Sequence, residues 1–367
     1  MDVAGAMHPL DKLAIRRFRG LQDVTLDGLG RINLLVGPNN SGKTSALEAI
    51  SVFCQPLDLR AWLDAVWQRD RTALSLWPLE WMFPHNPAVD GPFVEGKVAI
   101  EGSGHFPIRY LDAFYTPLSR IATKTAAPEG VSNGSGKNGY EQAGARVELH
   151  AGFERDPNDT LSRRFDLWEG EPLEVSYSSF SCPVRTVTPV SQRVDPIHRE
   201  LSDATLGGQK AQIVSLLKEL DSQIADVAIL TPKGGNPTVF IDYASRGLLP
   251  LSAFGDGIRR AFLIALFMGS IPGGALLIDE IESSLHVTVL ASLFSWLVKA
   301  CERTDVQLFA TTHSLEALDA MMEAESANLD RIVGYHLNAS DGFVRAQRLD
   351  GDMLHRLRYE RGLDVRL

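Results

Sequence analysis

Three cysteines in 367 residues, Cys54, Cys182 and Cys301, are too few and too far apart in sequence for a disulfide framework, and none stands in a paired metal-binding spacing. A reducing, cytoplasmic compartment is therefore expected. An excess of positive charge is also missing. With 36 Lys and Arg against 46 Asp and Glu, the net charge is -10, so nothing global attracts nucleic acid or an anionic membrane, and any such contact has to be local. No apolar run is long and unbroken. The stretch AFLIALFMGSIPGGALLI, between Arg260 and Asp279, would span a bilayer by length alone, but GSIPGG divides it into a helix, a turn and a strand. No membrane segment is expected. The opening residues MDVAGAMHPLDK carry early acids and no apolar core, so no export signal is expected either.

What is present is an ordinary globular composition, 44% hydrophobic and 22% charged, in a chain long enough for one large domain with an insertion or for two. The expected class is α/β: a mostly parallel sheet covered by helices, with an antiparallel β lobe and an inserted subdomain. From Lys12 to Gly37, short strands with Gly-centred turns end in the apolar strand Ile32 to Val36, and a helix follows from about Gly42 through LEAISVF. Residues 56 to 115 hold Trp62, Trp67, Trp77 and Trp81, four of the six tryptophans, and several prolines, which suggests an inserted subdomain with a small aromatic core. Thr123 to Ala145 is rich in Gly, Ser, Asn and Ala and reads as a mobile loop. Alternating patterns in RVELHAGFE, LSRRFDLWE and LEVSYSSF suggest antiparallel strands, and a hairpin is expected around KGGN. Helical spacing runs from about Asp195 to Ile224. The last third alternates strand 275–279, helix 284–300, strand 306–312, helix 314–325 and strand 331–337, which argues for parallel pairing. The division this implies is 1–55 and 191–367 as two parts of one domain, with 56–190 as a divergent lobe.

The most specific local signal is GPNNSGKT, which fits G-x-x-x-x-G-K-[ST] and lies between an apolar strand and a helix, the context that motif requires. Gly37 and Gly42 let the backbone of Gly37, Pro38, Asn39, Asn40, Ser41, Gly42, Lys43, Thr44 and Ser45 curl around anionic oxygens. Lys43 would reach the β- and γ-phosphates of ATP, and Thr44 would ligate Mg²⁺. GGALLIDE places Asp279 and Glu280 after four apolar residues. A buried strand has no structural use for two terminal carboxylates, so Asp279 is assigned to the Mg²⁺ shell and Glu280 to the attacking water. FATTHS ends the next apolar strand with His313, placed to sense the γ-phosphate; taken alone, His313 would be only a residue beside the helix cap Ser314.

GPNNSGKT, LSAFGDGIRR, LLIDEIESSLH and ATTHS, in this order, resemble the ATPase heads of the ABC-type superfamily that includes SMC, RecF and OLD-like proteins, closest to stand-alone AAA15/OLD-like ATPases. The resemblance covers about Lys12–Phe53 and Asp195–Leu367. It implies an ATP-sandwich homodimer in which the phosphate loop and acids of one protomer face a Ser/Gly signature of the other. LSAFGDGIRRAF stands where that signature is expected, so Ser252, Gly255 and Gly257 would meet the partner's nucleotide. The stretch departs from LSGGQ, and Arg259 and Arg260 are either phosphate-directed or solvated. Gln55, Gln192 and Gln209 compete for the switch glutamine.

For the biological role, a transporter subunit is disfavoured by the long segment between phosphate loop and signature. A nuclease of OLD type would need a further catalytic domain, and Asp350 and Asp352 read as a turn before a helix. The remaining expectation is an ATP-switched module in nucleic-acid maintenance or anti-phage defence, with a separately encoded effector. RRFRG at Arg16–Arg19 and RLRYERG at Arg356–Arg361 permit local DNA contact. The alternative is a signalling or assembly ATPase that binds only protein.

Overall fold

Five short apolar segments, INLLV, VRTV, ALLI, QLFAT and IVGYHLNAS, pair side by side in parallel, the arrangement that helix-connected strands adopt. The computed structural model describes residues 8–67, 76–84, 96–123, 139–153, 159–171, 181–191, 197–326, 328–340 and 343–366. In chain order its strands are β1 Lys12–Phe18, β2 Leu21–Asp27, β3 Ile32–Val36, β4 Gly96–Ser103, β5 Tyr110–Thr123, β6 Gly139–Gly152, β7 Thr160–Trp168 and β8 Val184–Val187. There follow β9 Ile224–Leu230, β10 Thr238–Tyr243, β11 Gly247–Pro250, β12 Ala275–Ile278, β13 Gln307–Thr311, β14 Ile332–Ser340 and β15 Phe343–Asp350. The described helices are α1 Lys43–Cys54, α2 Leu59–Trp67, α3 Trp77–Glu80, α4 Ile197–Leu206, α5 Lys210–Leu220, α6 Asp256–Ser270, α7 Val287–Thr304, α8 Leu315–Ala324 and α9 Gly351–His355.

The central sheet has the order β15-β14-β3-β13-β12-β8, and only its edge strand β15 is antiparallel. A second six-stranded sheet, β2-β1-β4-β5-β6-β7, is antiparallel throughout, as is the small sheet β11-β10-β9. The expected mostly parallel sheet is thus the central one alone, and the antiparallel part is larger than a lobe: a second sheet of equal strand number begins with β1 and β2. Between β4 and β7 the described strands follow one another without an intervening helix, and hairpin connections impose antiparallel pairing.

Strand alternation divides the interior in two. Ile32, Leu34, Leu276, Ile278, Leu308 and Ala310 face one core, shared with α4 to α8; Leu35, Leu277 and Phe309 face the other, shared with α1, α2 and the antiparallel sheet. Helix α1 buries residues around most of its circumference, so it is held between layers rather than laid on a surface. Two buried amides fix the strands beneath it. Asn33 Nδ2 donates to Gly30 O and Leu308 O, and Gln307 Nε2 donates to Leu10 O and Gly30 O.

Several local expectations change. The loop expected over 123–145 is corrected at its ends: Thr123 ends β5 and 139–145 belong to β6, while 124–138 lie outside the described residues. Small residues serve a ladder here, since Trp168 packs against Gly144, where a Cβ would come within 2.5 Å of its ring. The helical pattern over 195–224 splits at Gly207 and Gly208, the latter with φ 80°, and gives way to β9. Of the four clustered tryptophans, Trp62 is fully buried and stacks on Phe83 at 5.2 Å, whereas Trp81 is 61% exposed. LEVSYSSF lies outside the described residues. The cysteines are buried and unbridged, yet the Cys182 N–H donates to Cys54 O at 2.8 Å, so two thiols remote in sequence are neighbours. No described helix is long and apolar enough to cross a membrane.

Candidate nucleotide site

The site grows from the carboxyl ends of β3, β12 and β13, where the parallel strands stop together. After β3 the chain turns through Gly37 (φ 144°), Asn40 (φ 61°) and Gly42 (φ 89°) into the N-terminus of α1. Glycine is required at both ends of this turn. A Cβ at 37 would lie 2.2 Å from Leu337 O, and one at 42 would lie 2.6 Å from Leu21 Cδ2. Lys43 Nζ donates to Gly37 O and Pro38 O at 2.8 Å each. Burial lowers the Lys43 ammonium from its ordinary value, against the opposing pull of Asp279, Glu280 and Glu282.

Strand β12 delivers Asp279 directly opposite. The Thr44 hydroxyl donates within 3.2 Å of both Asp279 carboxylate oxygens, and the Asp279 N–H is held by Val187 O at the end of β8. Glu280 has φ 47°, a left-handed conformation unusual for a residue with a side chain, and its backbone is clamped from two sides. Its N–H donates to Thr311 Oγ1 at 2.8 Å, and its C=O accepts from Arg260 Nη2 at 2.8 Å. Thr311 Oγ1 in turn donates to Asp279 Oδ1 at 2.7 Å. One hydroxyl thus orients one acid and anchors the backbone of the next. Thr311→Val, which keeps the shape and removes the hydroxyl, is expected to destabilise the fold by about 1–3 kcal/mol in chemical denaturation, with Thr311→Ser closer to wild type.

Arg260 corrects both readings of the sequence. It is neither solvated nor turned toward an external phosphate: it is 0% exposed, and Nη2 also donates to Asp279 O at 3.2 Å. Burial brings the guanidinium down to about 10, against the opposing charges of Glu282, Glu280 and Asp279. Helical spacing carried the signal, because Arg260 shares its face of α6 with buried Leu263, Ile264 and Phe267. Arg259 pairs with Asp256 at 3.0 Å.

The next parallel strand brings His313 to the same place. Ser314 caps α8 by accepting from the Ala317 N–H at 3.0 Å, as the motif suggested. The His313 N–H donates to Glu282 Oε1 at 3.0 Å, and its C=O accepts from Arg366 Nη1 at 2.7 Å. Asn39 to Ser45, Asp279, Glu280, Thr311 and His313 line one cleft of ≈ 600 Å³, within the range of small-ligand sites. A smaller cavity of ≈ 180 Å³ lies beside it, reached by Thr44, Glu48, Thr188, Val190 and Asp279. Thr44 and Asp279 offer a hydroxyl and a carboxylate, all-oxygen donors that suit a hard divalent cation beside phosphates. No cluster of three His, Cys, Asp or Glu suited to a metal occurs among the described residues.

Ser252, Gly255 and Gly257 do not line this cleft. Ser252 is exposed in the turn Leu251–Ala253, whose Leu251 is buried, its hydroxyl making no hydrogen bond to the described residues, and Gly255 is the N-cap of α6. Gly255 has an ordinary φ of -64°, and a Cβ there would meet nothing within 4 Å; at Gly257 the nearest contact would be Leu285 at 3.7 Å. The fold of one chain does not require these glycines. Of the glutamines, Gln55 follows α1, Gln209 precedes α5, and Gln192 lies outside the described residues. Asp350 caps α9 by accepting from the Met353 N–H, in keeping with the turn expected there.

Two family models match the chain. One, described as "AAA domain, putative AbiEii toxin, Type IV TA system", matches residues 142–319, and the other, "AAA ATPase domain", matches residues 9–85. An uncharacterized protein of Methanocaldococcus jannaschii is 39% identical over 72 residues, 20% of this chain and 63% of the relative. The DNA replication and repair protein RecF of Psychromonas ingrahamii is 54% identical over 41 residues, 11% of each chain. The chain thus spans less than two thirds of the length of these curated relatives. Among solved structures, an SMC head bound to the C-terminal winged-helix domain of ScpA aligns over 96% of this chain and 99% of its own, with 14% identity and a TM-score of 0.47.

Proposed function

We propose that this chain, which carries matches to two AAA ATPase family models and resembles SMC/RecF-like ABC-type ATPase heads, is an ATP-hydrolysing switch whose bound ATP joins two copies head to head. The observation that carries the reading is the contact of Thr44 with both oxygens of Asp279, which brings the phosphate loop and the acidic strand end into register with Glu280 beside them. In this reading the backbone from Gly37 to Ser45 and the Lys43 ammonium bind the phosphates of ATP, and Thr44 and Asp279 hold Mg²⁺. Bound Mg²⁺ would neutralise charge on the β- and γ-phosphates. Glu280 takes a proton from the attacking water, His313 faces the terminal phosphate, and Ser252 with the Gly255 and Gly257 amides serves the partner's nucleotide. Gln55, Gln192 and Gln209 are the candidates for the switch glutamine. Magnesium-dependent release of phosphate from ATP by the purified chain is the test, and its retention in Lys43→Ala would reject the site.

The division into an ATPase head, 1–55 with 191–367, and a divergent lobe, 56–190, is part of this proposal. The two family-model matches, 9–85 and 142–319, run across both of its boundaries, and β4 pairs with β1 and so continues the sheet begun in the head. The RecF matches and the AbiEii description favour nucleic-acid maintenance or defence, with a separate effector. One observation favours the second reading, a switch that binds only protein. Arg16 pairs with Asp23 and Glu101, Arg19 with Glu48, and Arg358 with Asp319, so half of the six arginines in the two basic clusters are ion-paired within the chain. Affinity for DNA measured against salt separates the two, because phosphate contacts give a steep slope.

A further inference from the structure

We propose that Glu282 is a positioning residue for His313, holding the imidazole in the tautomer and orientation that present Nε2 to the nucleotide cleft. The proposal rests on the ATPase reading for its consequence, though not for its geometry. Glu282 follows the turn after Asp279 and Glu280, and parallel pairing of β12 with β13 sets that turn beside His313. The Ile281 N–H donates to Thr311 O at 3.0 Å, which fixes the two segments against each other. A single oxygen, Glu282 Oε1, then takes the His313 backbone N–H at 3.0 Å and lies 3.1 Å from His313 Nδ1.

A carboxylate can only accept, so the Nδ1 facing it carries the proton. Nε2, on the far side of the ring, is left for the cleft that His313 lines. The environments of the two partners fit this division. The Glu282 side chain is 12% exposed, while that of His313 is 55% exposed, so a sheltered anchor holds a ring that remains open to solvent and substrate.

A role in folding alone explains Glu282 poorly. Its second oxygen, Oε2, is buried and has no hydrogen-bond partner among the described residues, an arrangement that disfavours the folded state. Any neutral acceptor would serve the His313 backbone N–H equally well. A carboxylate, which can only accept, is suited to the ring nitrogen it faces at 3.1 Å.

Nitrogen-15 spectra of the imidazoles in the resting protein, with His313→Asn for assignment, are expected to show His313 mainly as the Nδ1–H form. Glu282→Ala should shift it toward the Nε2–H form that free imidazole side chains prefer, and should lower kcat for ATP about 10–100-fold with little change in ATP affinity. Glu282→Gln, which keeps an acceptor, should recover part of that loss. In a His313→Ala background Glu282→Ala should add no further loss, since both changes remove one unit. Unchanged tautomer and kcat in a folded, ATP-binding Glu282→Ala protein would overturn the proposal. If that variant does not fold, Glu282→Met, of similar length and without an oxygen acceptor, takes its place, and an unaltered tautomer and kcat there does the same. A wild-type protein without ATPase activity would remove the functional reading alone, because the tautomer is measured without nucleotide.

Discussion

Glu280→Gln is expected to bind ATP as tightly as the wild type and to turn it over about two to four orders of magnitude more slowly, the usual size for lost general-base catalysis. The substitution is unusually clean here. The left-handed backbone at Glu280 is held by its own N–H and C=O, through Thr311 and Arg260, so removing the carboxylate charge leaves the strained turn in place. Thr44 and Asp279 are likewise unaltered, which preserves the groups assigned to the cation. Phosphate release under single-turnover conditions, with ATP affinity measured separately, reads both arms. Undiminished turnover would remove Glu280 from the base role. Loss of ATP binding would instead mean that the Glu280 carboxylate supports the phosphate loop.

What the sequence disclosed and what it hid follow from where each interaction lies along the chain. GPNNSGKT, LLIDE and ATTHS are contiguous, and each joins an apolar strand to polar residues at its carboxyl end, so the strand ends and their acids were legible directly. The contacts among them were not. Thr311 meets Asp279 only because Ile278 stands opposite Ala310 in a parallel register, and Glu282 reaches His313 for the same reason. No local pattern encodes that register. Arg260 is an intermediate case: its helical spacing marked the buried face, but the charge invited a solvent or phosphate reading. The antiparallel strand β15 was missed because its alternation is exposed and polar, and it borrows its place from β14. Between Thr123 and Ala145 composition suggested only a loop, whereas pairing with β5 carries 139–145 into a strand.

Mixing Lys43→Ala with Ser252→Arg is expected to restore activity that neither variant has alone. The premise is that Ser252 acts on ATP held by the other protomer, and it has support from an unusual side: Leu251 and Phe254 anchor the turn in the core, but Ser252 and Gly255 make no side-chain contact among the described residues that the fold of one chain needs. Ser252 is exposed, a Cβ at Gly255 would meet nothing within 4 Å, and neither residue lines the cleft formed by the same chain's Lys43 and Glu280. The turn nonetheless leads into the N-terminus of α6, whose amides and positive dipole end suit an anion. Arg260, farther along that helix, ties it to the carbonyls of Asp279 and Glu280, so an anion held at the turn would be linked mechanically to the acids of its own chain. In a heterodimer of the two variants, one composite site carries both lesions and the other pairs intact Lys43 with intact Ser252. Random mixing makes half of the dimers heterodimers, each with one working site of two, so turnover should recover to roughly a quarter of wild type if the sites act independently. Obligate cooperation between sites would hide this recovery, and light scattering with ATP in a Glu280→Gln background therefore accompanies it. Adding Ser252→Arg there should abolish the ATP-induced dimer. Gly255→Ala supplies the finer probe: the protomer has room for the methyl group, so a thermally unaltered protein with impaired ATP-driven dimerisation would place the close approach across the interface. A dimer that forms equally well without ATP, together with no rescue on mixing, would reduce LSAFGDGIRRAF to the start of a helix.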